Sequence, residues 1–301
     1  PDAGEDKPDK EPGERGADGQ PDIDNPRAWP EMTEDEHAAA VKELQAFVDP
    51  VLSKMGHAMG STQTERFLVY SDMPAKDSKY WVGVLDKMYD KLCETFDLDK
   101  EKNIWKGKCL LLFFNSERDY LRYNSAAYGN SANGSAGICY QFGVGDVHIA
   151  MYKQKNKKVL AHVLVHEAVH GFLFRYQSSH YVPNWLNEGL AEYIAVSLVN
   201  SSEYPGKAKS ARGYVKQRGG LDNFLSARNI IGPHYGLAYD VTAMMVSENR
   251  KGYVKMIQGI KEGKTAKEAF DDDYGASVDR VFQYYAKTRL KMDGLRVNLA
   301  K

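Results

Sequence analysis

Residues 159–176 read VLAHVLVHEAVHGFLFRY, and this stretch decides how the rest of the chain is interpreted. It is rich in helix-forming residues and the next proline is Pro183, so it predicts a helix. Side chains four residues apart lie on one helix face, so His166 and His170 would stand one turn apart. Two imidazoles placed in this way can bind one Zn²⁺ at about 2.0–2.1 Å. Glu167 would project beside the ion, where a carboxylate can take a proton from water.

A second stretch supplies a candidate third ligand. Residues 183–193 read PNWLNEGLAEY and begin 13 residues after His170. A catalytic zinc takes three protein ligands and keeps one open position, and two histidines with one glutamate form one such set. The 17 residues between His170 and Glu188 allow a turn and a return on a second helix. The sequence therefore predicts a single zinc held by His166, His170 and Glu188.

The acidic residues and the histidine near this motif can also be explained without a metal. Acidic residues are common at a helix start because of the macrodipole, so Glu188 and Glu192 alone would fit solvated charges. The two histidines are what favour the metal interpretation. His162 lies one turn before His166, and we expect a packed or hydrogen-bonded histidine there, since a catalytic zinc needs a vacant position.

The two stretches together resemble the gluzincin clan, which includes thermolysin-like and aminopeptidase-like zinc enzymes. The shared pattern is His-Glu-x-x-His followed by Trp-Leu-Asn-Glu-Gly-x-Ala-x-Tyr, present here at 166–170 and 185–193. In that clan the glutamate of Asn-Glu-Gly is the third ligand, which corresponds to Glu188. Glu192 is similar in position to the acid that holds the first ligand histidine, here His166.

A wider resemblance covers residues 64–290 and is to the peptidase MA-like bacterial family. It includes RFLVY at 66–70, CLLLFF at 109–114 and the segment from Lys267 to Arg289. The resemblance implies an α+β, zincin-like fold, with a small mixed or antiparallel sheet and the active-site helix followed by a mainly helical part. It also implies a peptide or protein substrate.

A hydrogen-bond donor for a tetrahedral oxyanion is also implied by the resemblance, as a tyrosine that opens a later helix. Residues 232–239 read GPHYGLAY, and Tyr235 matches best because it lies three residues before the small Ala238. Tyr239 and His234 remain alternatives, and Tyr235 also fits a core tyrosine with a satisfied hydroxyl.

Two short β-like stretches, 138–142 and 147–152, bracket a glycine-containing turn and predict a hairpin. The resemblance implies that its first strand lies antiparallel to the substrate and binds it by strand addition. An ordinary surface hairpin is the alternative. The backbone groups offered to a peptide would belong to Ala136, Gly137 and Ile138. The stretch GICYQ at 137–141 lacks the acid that anchors the substrate amine in aminopeptidases, which disfavours that activity.

Composition bounds the remaining possibilities. Residues 1–36 hold 13 acidic and 4 basic residues, and the remainder holds 28 acidic and 36 basic ones. No Lys/Arg run with interleaved aromatics is present, so nucleic-acid binding is not indicated. No apolar run approaches the length of about 18 residues needed to span a bilayer. The three cysteines form no disulfide framework, and we expect buried free thiols.

The chain divides into three parts by pattern. Residues 1–31 are acidic and proline-rich and predict a disordered tail or linker. Residues 32–156 predict an N-terminal helix, opened by a capping box at Thr33 and Glu36 and running to about Met59, and an α/β part with the hairpin. Residues 157–301 predict a helical part that carries the metal ligands. The helices expected after the hairpin are 159–176, 185–199, 235–246, 252–260 and 278–290.

Two functional hypotheses follow. The first is a zinc metallopeptidase in which Glu167 activates water. The second is a zincin-fold binding or surface-assembly module whose metal site is structural or vestigial. The tail is compatible with a spacer after a removed signal or lipid anchor, which favours a secreted, periplasmic or surface-anchored protein. Oligomeric state is left open.

Overall fold

The structure is a computed structural model that describes residues 26–199, 203–221, 224, 225, 227, 230 and 232–297. In this part the chain is α+β, with a five-stranded mixed sheet in its first half and mainly helices in its second. Residues 1–25 of the expected tail lie outside the described residues. Residues 26–31 are described, and the indole of Trp29 donates to the carbonyl of Phe174 at 2.9 Å.

The sheet places the most apolar strand in its interior. Its order is β1-β2-β3-β5-β4, with β2, β3 and β5 parallel and with β1 and β4 antiparallel at the two edges. Every residue of CLLLFF is buried, as expected for a strand covered on both faces. The strands are Gly60–Gln63 (β1), Phe67–Ser71 (β2), Cys109–Phe114 (β3), Gly137–Gln141 (β4) and Val147–Tyr152 (β5).

Three helices of the first half cover the sheet. Helices Glu34–Met55 (α1) and Glu117–Tyr128 (α3) pack on one face, and Ala75–Phe96 (α2) packs on the other. The capping box at Thr33 and Glu36 is confirmed, with the Thr33 amide donating to the Glu36 carboxylate at 2.7 Å. The expected end near Met59 is wrong, because Gly56 adopts a left-handed conformation that stops the helix.

The second half consists of helices that stack on α2 and on one another. The predicted break between 235–246 and 252–260 is confirmed, because Asn249 leaves the helical region and divides α7 into two helical parts. The Asn249 side chain accepts from the Gly252 amide at 2.9 Å. This contact caps the second part of the helix. The elements are Lys157–Arg175 (α4), Asn184–Val199 (α5), Glu203–Arg218 (α6), Pro233–Lys261 (α7), Ala266–Glu268 (α8) and Val278–Tyr285 (α9), and π-helical turns follow α8 and α9.

Helix α4 lies between the sheet and α5, and its glycine allows the close approach. A Cβ on Gly171 would lie 2.6 Å from a methyl carbon of Val147 in β5 and 3.4 Å from the sulfur of Cys139 in β4. A side chain there would push the helix off the sheet. This packing sets the distance between the two histidines of α4 and the edge strand β4.

The structure also bears on the predictions for the three cysteines and for membrane-spanning segments. Cys93 and Cys109 are buried free thiols, and Cys139 is free and partly buried, as expected. None of the helices in the described part of the chain is long and apolar enough to cross a bilayer.

Lys261 at the end of α7 is a buried cation that makes stability depend on pH. It is 2% exposed, and its ammonium donates to the carbonyl of His180 at 3.1 Å. Burial, together with the charge of Arg175, lowers the pKa of Lys261 to about 7. Between that pH and its ordinary pKa, the unfolded chain holds a proton that the folded chain lacks, so stability rises with pH. We expect a gain of about 2 kcal/mol between pH 7 and pH 9.

Urea denaturation at pH 7, 8 and 9 measures this gain, with Lys261→Met as the control. The Met side chain has a similar length and no proton to lose, so the variant should show a flatter dependence. Parallel curves for the two proteins would exclude Lys261 as the source.

Candidate metal centre

Two neighbouring helices bring the three predicted ligands together. His166 and His170 project from one face of α4, and Glu188 is the fifth residue of α5. Glu188 Oε2 lies 3.1 Å from His166 Nε2 and 3.5 Å from His170 Nε2, and the two imidazole nitrogens are 3.0 Å apart. The side chains of both histidines are 12% exposed. The three candidate ligand atoms therefore form a compact triangle.

The triangle fits a small divalent cation better than a hydrogen-bonded cluster. A tetrahedral zinc with bonds of about 2.0–2.1 Å has ligand atoms about 3.3–3.4 Å apart. The observed separations of 3.0, 3.1 and 3.5 Å bracket that value. Glu188 Oε2 is shielded from solvent, and the two imidazole nitrogens lie within 3.5 Å of it. A metal ion bound between the three atoms would satisfy this buried carboxylate oxygen.

Each ligand histidine is held through its other ring nitrogen. Glu192 Oε1 lies 3.1 Å from His166 Nδ1, and Asn187 Oδ1 lies 2.8 Å from His170 Nδ1. Such partners fix the orientation and tautomer of a ligating imidazole so that Nε2 faces the ion. Glu192 thus lies next to His166, where the sequence analysis expects it. Asn187 was missed, although it precedes Glu188 in the Asn-Glu-Gly pattern.

His162 and Glu192 form the outer side of this arrangement. His162 Nε2 is 3.1 Å from Glu192 Oε2, so the glutamate bridges two imidazoles. His162 is thus a hydrogen-bonded histidine, as the sequence suggests. A separate group consists of His57, Asp72 and Asp119. Its aspartates already accept hydrogen bonds from the turn that follows β3, namely from the Asn115 amide at 2.6 Å and the Ser116 hydroxyl at 2.7 Å.

The charge balance of the site also favours a cation. Burial raises the pKa of Glu188, but the charge of His170 and the hydrogen bond from His166 outweigh it and hold that pKa well below its ordinary value. Burial lowers the pKa of His166, and the hydrogen bonds to Glu188 and Glu192 reverse this shift and hold it well above the ordinary value. Nearby positive charge therefore stabilises the buried carboxylates. A divalent ion would supply that charge while both imidazoles stay neutral.

Glu167 follows His166 on α4 and is held by the edge strand. Its Oε2 accepts from the backbone amide of Cys139 in β4 at 2.9 Å. Burial raises the pKa of Glu167, and the nearby charges of His166 and His170 oppose that rise. A carboxylate with one oxygen anchored and a raised pKa is suited to accept a proton. The contact with Cys139 was not predictable from the sequence, because 28 residues separate the two groups.

The three candidates for the oxyanion donor lie in different places. The ring of Tyr235 is 6.2 Å from that of His166, centroid to centroid. Burial raises the pKa of Tyr235 to about 12, and the charges of Glu188, Glu167 and Glu192 add to the effect. His234 is buried and packs on Phe224. Burial raises the pKa of Tyr239, and the charge of Asp240, which is not part of the site, adds to this effect. Of the three, Tyr235 alone lines the cavity next to His166 and Glu167.

A cavity of about 370 Å³ adjoins the ligands. His166 and Glu167 form one end of it, Tyr235 closes one side, and Ala136 and Gly137 lie along the start of β4. Ile138, the third residue expected in the substrate strand, pairs with Ala150 of β5 and packs on the opposite side of the sheet. A small molecule or chain segment in the cavity would therefore lie against His166, Glu167 and Tyr235 together.

Gly189 explains how α7 reaches the site. A Cβ there would lie 2.2 Å from the Thr242 hydroxyl and 2.8 Å from the carbonyl oxygen of Ala238. The missing side chain lets α7 lie directly on α5, which positions Tyr235 one turn earlier. We expect Gly189→Ala to destabilise the protein by about 1–3 kcal/mol through overpacking.

Urea denaturation tests this, with Gly83→Ala as the matched control. Gly83 lies inside α2, and a Cβ added there would meet no atom of another element within 4 Å. That substitution should be neutral or stabilising by about 1 kcal/mol, because alanine is the better helix former. Equal effects at the two positions would show that the contact of α5 with α7 is not tight.

No protein-family model matches the chain, and no curated protein is similar enough to match it. The function is therefore inferred from the two motifs and from the arrangement of their side chains.

Proposed function

We propose that the protein is a zinc-dependent peptidase of the gluzincin type with a zincin-like fold. The observation that carries the proposal is the convergence of His166, His170 and Glu188, whose ligand atoms all lie within 4.8 Å of one another. A set of two histidines and one glutamate leaves a fourth position for water or substrate, as in catalytic rather than structural zinc sites. The cavity that His166 and Glu167 line supports the same conclusion.

The residues around the three ligands have separate tasks. Zinc bound by the triad would polarise a substrate carbonyl and make water more acidic. Glu167 would take the proton of the attacking water and deliver it to the leaving amine, since its anchored carboxylate lines the cavity beside His166. Glu192 and Asn187 would keep the two imidazoles in place throughout.

The substrate would bind along β4. This strand pairs on one side with β5, and the Cys139 amide points away from β5 toward Glu167. Within an antiparallel strand the amide and carbonyl of one residue point to the same side, and alternate residues face alternate sides. Gly137 and Cys139 therefore face the outer edge. The Cys139 amide donates to Glu167 and the Gly137 carbonyl accepts from the Ser135 hydroxyl, so a peptide added as a strand would pair with the Gly137 amide and the Cys139 carbonyl.

A cleavage assay tests the proposal. Zinc-loaded protein is incubated with a mixture of blocked peptides of varied sequence, and new termini are identified by mass spectrometry. We expect peptide-bond cleavage that stops on chelation and returns with zinc. Bound zinc at one per chain with no cleavage of any peptide would instead support the binding or assembly module.

Tyr235→Phe should lower kcat by about 100-fold, because a donor to the oxyanion is typically worth that much or more. The Michaelis constant should change little, since the hydroxyl acts in the transition state. Tyr239→Phe serves as the control and should retain activity. An inactive Tyr239→Phe protein beside an active Tyr235→Phe protein would reverse the assignment.

A further inference from the structure

The walls of the cavity beyond the ligands carry positive charge. Lys158, in the first turn of α4, and Lys207, in α6, line the cavity together with the apolar residues Val159 and Val163. The lining also contains two carboxylates next to His166. Glu167 accepts from the Cys139 amide, and Glu192 lies between the imidazoles of His162 and His166. The two lysines supply the positive charge of the lining away from these carboxylates.

The position of Lys207 follows from tight helix packing. A Cβ on Gly236 would lie 2.5 Å from the Lys207 carbonyl oxygen, so α6 rests directly on the start of α7. Arg212 of α6 also forms two hydrogen bonds of 2.6 Å to the buried Asp240 of α7. The backbone that carries Lys207 is therefore fixed next to Tyr235.

Lys158 differs from its neighbour on α4. Lys157 points to α2, where it pairs with Asp77 at 3.5 Å and lies over the ring of Tyr80. Lys158 lines this cavity as well as the neighbouring one beside Lys157, and it forms no ion pair with the residues that the structure describes. Its ammonium is available to a bound anion.

The direction of β4 indicates which part of a peptide meets the lysines. Antiparallel pairing is the more stable arrangement for an added strand. A peptide in that orientation runs from Gln141 toward Gly137, and the cavity begins at Gly137 and Ala136. The cavity therefore receives residues on the C-terminal side of the bond that faces Glu167.

We propose that Lys158 and Lys207 form a subsite for a substrate carboxylate on the C-terminal side of the cleaved bond. This inference rests on the proposed peptidase function. The carboxylate is that of an Asp or Glu side chain or that of the chain terminus. A cation near an apolar floor selects either one against its uncharged amide.

Blocked alanine octapeptides that contain one Asp, Glu, Asn or Gln test whether the subsite binds a side-chain carboxylate. Unblocked octaalanine compared with its C-terminal amide tests whether it binds the terminal carboxylate. We expect kcat/KM about tenfold higher for the acid than for the matching amide in at least one pair. Lys158→Gln and Lys207→Gln should each bring that ratio toward one, whereas Lys209→Gln, which is exposed on α6 outside the cavity, should keep it. A ratio near one in the unmodified protein, or one that neither variant changes, overturns the subsite.

Calorimetric titration of the Glu167→Gln protein with the same peptides separates the two proposals. Tighter binding of the acid than of the amide by about tenfold, reduced in Lys207→Gln, supports the subsite even if no peptide is cleaved. Equal affinity for acid and amide, or no measurable binding of either, overturns the subsite whether or not the protein is a peptidase. Added salt should weaken the preference, because the lysines are exposed.

Discussion

Glu167→Gln is expected to lower kcat by about 10³-fold while zinc still binds at one per chain. General-base catalysis typically contributes about 10²–10⁴-fold, and no second carboxylate among the described residues of the cavity lining is free to replace this one. The amide of glutamine keeps the size of the side chain and can still contact the Cys139 backbone. The loss should therefore appear in kcat, with the Michaelis constant nearly unchanged.

Elemental analysis and steady-state kinetics on the same sample check this result. Glu94→Gln is the matched control, because Glu94 lies on the surface of α2, where it pairs with Lys91 at 3.0 Å, and it should behave as the unmodified protein. A Glu167→Gln protein that cleaves peptides at the normal rate would show that another group is the base.

Glu188→Gln is expected to abolish both zinc binding and turnover. It removes the one charged ligand of the triangle, so the loss of zinc affinity should exceed the roughly 10–100-fold that follows removal of a partner outside the ligand set. Glu192→Gln gives that smaller loss, because it weakens the hold on His166 Nδ1 and leaves all three ligands in place. The two variants should therefore rank clearly in a competition titration against a zinc chelator.

The metal should also stabilise the fold, since a ligand that binds the native state adds RT ln(1 + [L]/Kd), or about 4 kcal/mol at a thousandfold excess over Kd. Excess zinc should raise the melting temperature of the unmodified protein and leave that of Glu188→Gln nearly unchanged. Equal zinc affinity in Glu188→Gln and Glu192→Gln would contradict the assignment of Glu188 as a ligand.

The sequence predicts the helices that carry the ligands because their signal is local. The spacing of His166 and His170 needs only helical geometry, and the buried strand at 109–114 is visible as an apolar run. Helix α6 was missed although Ala208, Ala211 and Val215 are buried at helical spacing, because glycine, proline and charged residues surround them. Helix α3 was missed in the same way, and the exposed polar strand β1 has no pattern to recognise.

The parts of the site that depend on tertiary contacts could not be predicted from the sequence. The hydrogen bond from Cys139 to Glu167 forms only because the edge strand β4 packs against α4. Lys207 reaches the cavity lining only because α6 packs on Gly236. Neither has a periodicity or a motif. The choice of Tyr235 over its two neighbours likewise follows from which face of α7 meets α5 at Gly189.

The central claim is that His166, His170 and Glu188 bind one zinc ion. A crystal structure of zinc-loaded protein with diffraction recorded on both sides of the zinc absorption edge tests it most directly. We expect one strong anomalous peak at about 2.0–2.1 Å from the two Nε2 atoms and the Glu188 carboxylate, beside Glu167. A peak elsewhere, or imidazoles turned away from Glu188 with no peak between them, would contradict it.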